Sequence, residues 1–158
     1  MIHTCMDLNG NAISLTTEYH RFSEEPQHAI VIIQSGKGWV MTKHKKRGLE
    51  FPGGKREKGE TIEEAAKREA WEETGAVLNH LVYLAQYQVT GNAEMFTKDV
   101  YFAWTDTIIQ KEDYLETSGA VLLDKLPHDF SGAEFSFIMK DEVIPICLNL
   151  IKDRHLGR

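Results

Sequence analysis

The stretch Gly54-Lys-Arg-Glu-Lys-Gly-Glu60-Thr-Ile-Glu-Glu-Ala-Ala-Lys-Arg68-Glu69-Ala-Trp-Glu72-Glu73-Thr-Gly75-Ala76 decides how this chain is read. Thr61 followed by Glu64 is a capping box, in which each side chain satisfies the other residue's orphan backbone N–H. Gly75 stands where a glycine in the left-handed conformation ends a helix. Alanines at 65, 66 and 70 favour helix between those two ends. On that helix Glu69, Glu72 and Glu73 occupy i, i+3 and i+4, an arc of about 100°. Ile62, Ala65, Ala66 and Ala70, the apolar stripe, lie on the same side of the helix. Glu63, Glu64, Lys67, Trp71 and Thr74 take the other side. A surface helix turns its aliphatics inward and its acids to water. Here three acids accompany the aliphatics.

Glu63 and Glu64 read as ordinary solvated charges. The triad does not, because like charges one turn apart repel, and repel more when desolvated. Arg68 can lie beside Glu72, but one guanidinium cannot neutralise three carboxylates. A hard divalent cation with oxygen ligands can, and Mg²⁺ or Mn²⁺ suits such a donor set. Ahead of the helix, Phe51-Pro52-Gly53-Gly54 is predicted to form a loop whose backbone comes close to the carboxylates. The Gly53 carbonyl is a candidate additional ligand.

Gly54, Glu60, Arg68, Glu69, Glu72, Glu73 and Gly75 match the pattern G-x5-E-x7-R-E-U-x-E-E-x-G-U, so the chain resembles the Nudix hydrolases. Ala70 and Ala76 depart mildly, since the family usually has a bulkier aliphatic residue there. The resemblance implies an αβα sandwich of α/β class with a mixed sheet between helices. It also implies Mg²⁺- or Mn²⁺-dependent cleavage of nucleoside diphosphate derivatives. By position Glu72 and Glu73 look like metal ligands, and Glu69 like a ligand or the general base. Arg68 looks like the residue that orients a box glutamate, and Glu60 like an outer partner of the metal site. The family commonly adds one acid outside the box, for which Glu112, Asp113 and Glu116 are candidates; Glu116 is favoured.

Composition agrees with a small enzyme. The 158 residues suit one domain spanning 1–158, and 42% apolar residues suffice for a core. A net charge of −6 argues against broad non-specific nucleic-acid binding. Cys5 and Cys147 are far apart and read as free thiols of a reducing, cytoplasmic protein. The N-terminus lacks a charged start and an apolar run, and nothing approaches a membrane span. Oligomeric state is not legible.

Strand and helix signals alternate without repeats or linkers. Asn9-Gly10 reads as a turn between short strands. His28 to Gln34 reads as a buried strand, Gly36-Lys37-Gly38 as a turn, and Trp39 to Lys43 as the next strand. Leu81 to Val89, Asp99 to Ile109 and Gly119 to Leu123 are further strands. Val143, Ile146, Cys147, Leu150 and Ile151 have helical spacing over Glu142 to His155. Pro145 is compatible only if that helix begins near Asp141.

Lys43, Lys45 and Arg47 belong to the one basic cluster, placed upstream of Gly53 where it can attract a polyphosphate. The seven histidines lack ligand spacing and read as surface or structural residues. Tyr83, Tyr87, Tyr101, Phe102 and Trp104 read as core, while Phe137 or Phe135 is placed to stack on a nucleobase. The resemblance is greatest to MutT-like members, in which an Asn ahead of the last helix reads oxidised guanine. Lys140 falls at that position here, which favours a tolerant enzyme. The first functional reading is therefore hydrolysis of nucleoside triphosphates of the 8-oxo-dGTP and dGTP type to monophosphate and pyrophosphate. The second is removal of pyrophosphate from triphosphorylated RNA 5′ ends. A non-catalytic nucleotide-sensing module is the third, and the retention of every box glutamate speaks against it.

Overall fold

The computed structural model describes residues 1–92 and 94–157. Among these residues nine strands and two helices follow one another as β1 (Ile2–Met6), β2 (Ala12–Thr16), β3 (His28–Ser35), β4 (Gly38–His44), β5 (Gly48–Glu50), β6 (Gly53–Lys55), α1 (Ile62–Thr74), β7 (Val82–Thr90), β8 (Met95–Thr105), β9 (Thr117–Leu123) and α2 (Val143–Asp153). A single 3-10 turn, Phe137–Lys140, precedes α2. No helix among the described residues is long and apolar enough to cross a membrane.

The strands form one mixed sheet, seven of them in the order β1-β2-β7-β8-β3-β4-β5, with β6 paired to β3 and β9 to β4 off that path. β3 and β8 pair in parallel, with Val31 opposite Tyr101, and the other pairs are antiparallel. β3 is buried on both faces, which its near-continuous run of Ala, Ile and Val requires. Ala29, Val31 and Ile33 pack on the α1 side with Ile62, Ala66 and Ala70. Ile30 and Ile32 point the other way, into a larger core with Leu84, Phe102, Ile144 and Cys147 of the α2 side. Two helices thus sandwich one sheet.

β3 pairs with β4 only near their shared hairpin, at Ile33, Gln34 and Ser35. At its other end it pairs with β6, through Ala29 with Gly54 and Ile30 with Gly53. The loop expected at Phe51 to Gly54 is therefore shorter than the sequence suggests: Pro52 interrupts, and Gly53 resumes as a strand. Glycine permits this because a Cβ at Gly53 would lie 3.0 Å from Ile30 Cα and collide with the Ala29 carbonyl. β5, β6 and the turn at Phe137–Lys140 have no signal in their short sequences.

Helix α1 matches its expected bounds. Thr61 and Glu64 form the capping box, and Gly75 has φ 77° with its N–H donating to Trp71 O. Thr74 departs from the solvent-facing position expected of it. It is fully buried, donating to Ala70 O at 2.6 Å and accepting the Ala76 N–H, because the chain folds back over the helix end. α2 begins at Val143, so Pro145 lies in its first turn, where its missing N–H costs no bond.

Candidate active site

The inward face of α1 meets β6 at the floor of a cavity of about 1000 Å³. Glu69, Glu72 and Glu73 line it together with Gly53, Gly54 and Arg68. Glu73 is 7% exposed, and its carboxylate accepts the Gly53 N–H at 2.8 Å. Glu69 presses on Gly54, where a Cβ would sit 2.5 Å from Oε1. That glycine leaves room for a carboxylate against a strand backbone. The i, i+3, i+4 spacing delivers three acids to one place.

Arg68 organises them. Its Nε and Nη2 donate to the two Glu60 oxygens at 2.7 and 3.0 Å, a fork that also pulls the Glu60 pKa down. Its Nη1 donates to Glu69 at 2.9 Å and to Glu72 at 3.1 Å, so the guanidinium lies between these two acids. Nη2 reaches Lys55 O at 3.1 Å. The bonds to Glu60 dominate the upward shift of the Arg68 pKa.

Burial pushes the Glu69 carboxyl up to about 7, against the pull of Arg68. It pushes Glu73 up to about 8, helped by Glu69 and Glu50 and opposed by the Gly53 N–H. Two acids so placed are deficient in positive charge. An all-oxygen donor set short of cationic charge fits a hard divalent ion.

The outlying candidates divide. Glu116 lines the cavity from the β8–β9 connection, whereas Glu112 and Asp113 do not. Arg47 lines it too, but its guanidinium forks onto Glu50 at 3.0 and 2.9 Å. Lys43 and Lys45 stand outside the lining; Lys43 is exposed on β4, and Lys45 Nζ donates to Leu115 O at 2.9 Å. Phe137 is exposed and lines the cavity, while Phe135 is buried edge-on against Phe130. Lys140 lies away from the lining.

Sequence reasoning missed His28, Glu50, Arg56 and Lys98, all of which line the cavity. His28 and Lys98 face each other in register across the parallel pair of β3 and β8. Burial, then Lys98 and Lys55, depress the His28 pKa to about 4. Lys98 is depressed by burial and lies 5.4 Å from the centre of the Phe96 ring. Only strand pairing brings these residues to the site. Glu50 had one faint signal, its spacing of three from Arg47.

A family model described as the NUDIX domain matches residues 24–140. The chain belongs to the Nudix family. It is 45% identical over 148 residues to YtkD of Bacillus subtilis, whose name carries 8-oxo-dGTP diphosphatase as a proposed activity, covering 93% of this chain and 94% of that one. It is 30% identical over 137 residues to the oxidized purine nucleoside triphosphate hydrolase of Danio rerio, covering 81% of each. Among solved structures it matches the Bacillus subtilis pyrophosphohydrolase BsRppH with a TM-score of 0.93 and 42% identity, over 96% of this chain and 97% of that one. A Nudix hydrolase of Nitrosomonas europaea, at 19% identity and a TM-score of 0.58 over 84% of this chain and 90% of that one, shares the fold. Nudix hydrolases generally use divalent metal ions, and this Nudix chain retains every charged residue of the box.

Proposed function

We propose that residues 1–158 form one catalytic domain, a pyrophosphohydrolase that uses Mg²⁺ or Mn²⁺ to cleave nucleoside triphosphates of the 8-oxo-dGTP and dGTP type to monophosphate and pyrophosphate. The observation that carries this reading is the pair Glu69 and Glu73: two carboxyls one turn apart, the first half-buried and the second buried, both held against glycine backbone at the floor of a large cavity. The identity to YtkD supports the substrate class.

On this reading Glu69, Glu72 and Glu73 hold the ion, with the Gly53 carbonyl and Glu116 as additional oxygens. A bound divalent ion supplies charge neutralisation at the phosphate oxygens and a lowered pKa for water in its shell. Glu69, held by Arg68 at the cavity floor, accepts the proton of the attacking water. Glu60 fixes the Arg68 fork, and Arg68 in turn holds Glu69 and Glu72 in place for in-line displacement. Arg56 and Lys98 meet the charge of the triphosphate, and Phe137 stacks on the base.

A second reading, removal of pyrophosphate from RNA 5′ ends, has its own support. The cavity volume is at the upper end of the range for small-molecule sites, leaving room for more than one nucleotide. Hydrolysis of 8-oxo-dGTP and of triphosphorylated RNA, in competition at matched concentrations with Mg²⁺ or Mn²⁺, tests both. Preferential release of pyrophosphate from one substrate selects its reading. Turnover of neither, with either ion, overturns the proposal.

A further inference from the structure

β1 is an edge strand of the sheet, and its alternate residues His3 and Cys5 face the same side. That side meets the start of α2. Glu142 is the N-cap residue of this helix, yet its side chain makes no cap hydrogen bond. The carboxylate turns instead to His3, with Oε1 3.0 Å from Nε2. The Glu142 backbone offsets part of the burial that raises the Cys5 thiol pKa. One imidazole nitrogen, one thiol sulfur and one carboxylate oxygen thus lie within 4.8 Å of one another. Among the described residues this is the one group of three His, Cys, Asp or Glu donors gathered so closely.

We infer that His3, Cys5 and Glu142 form a second metal site, which takes Zn²⁺ or a similar borderline-soft divalent ion. Tetrahedral zinc with N, S and O ligands sets donor separations of roughly 3.3–3.6 Å. Bringing the observed spread to those separations calls for side-chain rotation. Sulfur and imidazole select zinc-type ions, whereas the all-oxygen donors on α1 suit Mg²⁺ or Mn²⁺. The two sites therefore differ in the ion they take. Three protein ligands leave the fourth position to water. His3, Cys5 and Glu142 all lie outside residues 24–140, the part matched by the family model. An ion here would tie the edge strand to the start of α2, directly after the turn that carries Phe137.

The alternative is a surface ion pair only, since His3 and Glu142 are 45% and 61% exposed. Titration of the full chain with Co²⁺ as a zinc analogue separates the two. A thiolate-to-cobalt charge-transfer band reports sulfur ligation, which the glutamates of α1 cannot produce. Cys147, the other cysteine, is fully buried in the α2-side core. The band should saturate at one equivalent, give way to Zn²⁺, and vanish in Cys5→Ser. Loss of a partner behind a ligand already costs 10- to 100-fold in affinity, so His3→Ala and Glu142→Gln should each weaken Co²⁺ binding at least about tenfold. Mg²⁺-dependent hydrolysis and melting temperature of the three variants should match the parent chain. Absence of the band, its survival in Cys5→Ser, or unchanged affinity in both other variants overturns the site and leaves the ion pair. Should Cys5→Ser not fold, alkylation of Cys5 in the parent chain decides: slowing by Zn²⁺ supports the site, and an unchanged rate overturns it.

Discussion

The Glu73 carboxylate accepts the Gly53 N–H at 2.8 Å, tying the last turn of α1 to a three-residue strand paired with β3. This one bond sets the depth of the acidic face against the sheet. It also explains how a carboxyl can be 7% exposed with so little positive charge around it. On the proposed function, that cost is the consequence of a position that serves a cation.

Glu73→Gln is expected to keep the fold. Burial holds Glu73 near pKa 8, so the parent residue is largely neutral at pH 7, and a glutamine oxygen can still accept the Gly53 N–H. Turnover should fall by about a hundredfold or more through lost metal affinity. Trp71→Phe, on the exposed side of α1, is the matched control and should stay within about twofold of the parent. Steady-state assays at saturating Mg²⁺ check both; near-parent activity in Glu73→Gln removes the metal-ligand assignment.

Gly54→Ala tests the close approach to Glu69. The added methyl falls on a side chain, not on backbone, so the melting temperature should stay within about 4 °C of the parent. Displacing Glu69 by about an ångström should lower kcat roughly a hundredfold. A variant with parent-like kcat would show that Glu69 tolerates displacement and is not the proton acceptor.

The two raised carboxyls predict how metal binding depends on pH. Their folded pKa values, about 7 and about 8, lie above the 4.5 of an unperturbed glutamic acid. Between pH 4.5 and 8 the folded chain binds more protons than the unfolded chain, so these groups lower stability as pH rises. A divalent ion replaces those protons and relieves the loss. The rise in melting temperature on adding Mg²⁺ should therefore be small at pH 6 and larger at pH 9. Equal shifts at the two pH values would argue against these acids as the ion's ligands.

Phe137→Ala should separate binding from chemistry. The ring is 41% exposed at the cavity wall, so its loss costs little stability. A stacking contact contributes about 1 kcal/mol, which predicts a KM several-fold higher with kcat nearly unchanged. A fall in kcat at constant KM would place Phe137 in the transition state instead of the base contact.

Much of this protein is legible one helix at a time. Thr61, Glu64 and Gly75 determine α1 because a capping box and a left-handed C-terminal glycine satisfy backbone groups locally. The period of 3.6 residues then places Glu69, Glu72 and Glu73 together whatever the helix packs against. Both faces of β3 are apolar in the sequence, and both are buried.

What lies across the sheet is not local. Phe51-Pro52-Gly53-Gly54 contains every signal of a loop, yet Gly53 and Gly54 pair with β3, because an unpaired stretch of that strand offers hydrogen bonds to a backbone without side chains. Lys43, Lys45 and Arg47 look equivalent in sequence. Only the fold separates them, sending one to solvent, one to Leu115 O and one onto Glu50. His28 and Lys98 are 70 positions apart, and nothing short of the β3–β8 register makes them neighbours at the cavity. The sequence by itself determined the capped helix and its acidic face, since both depend on spacing within a few residues. Which backbone receives that face, and which cations surround it, only the tertiary structure decided, since strand pairing joins residues whose separation in sequence bears no relation to their distance in space.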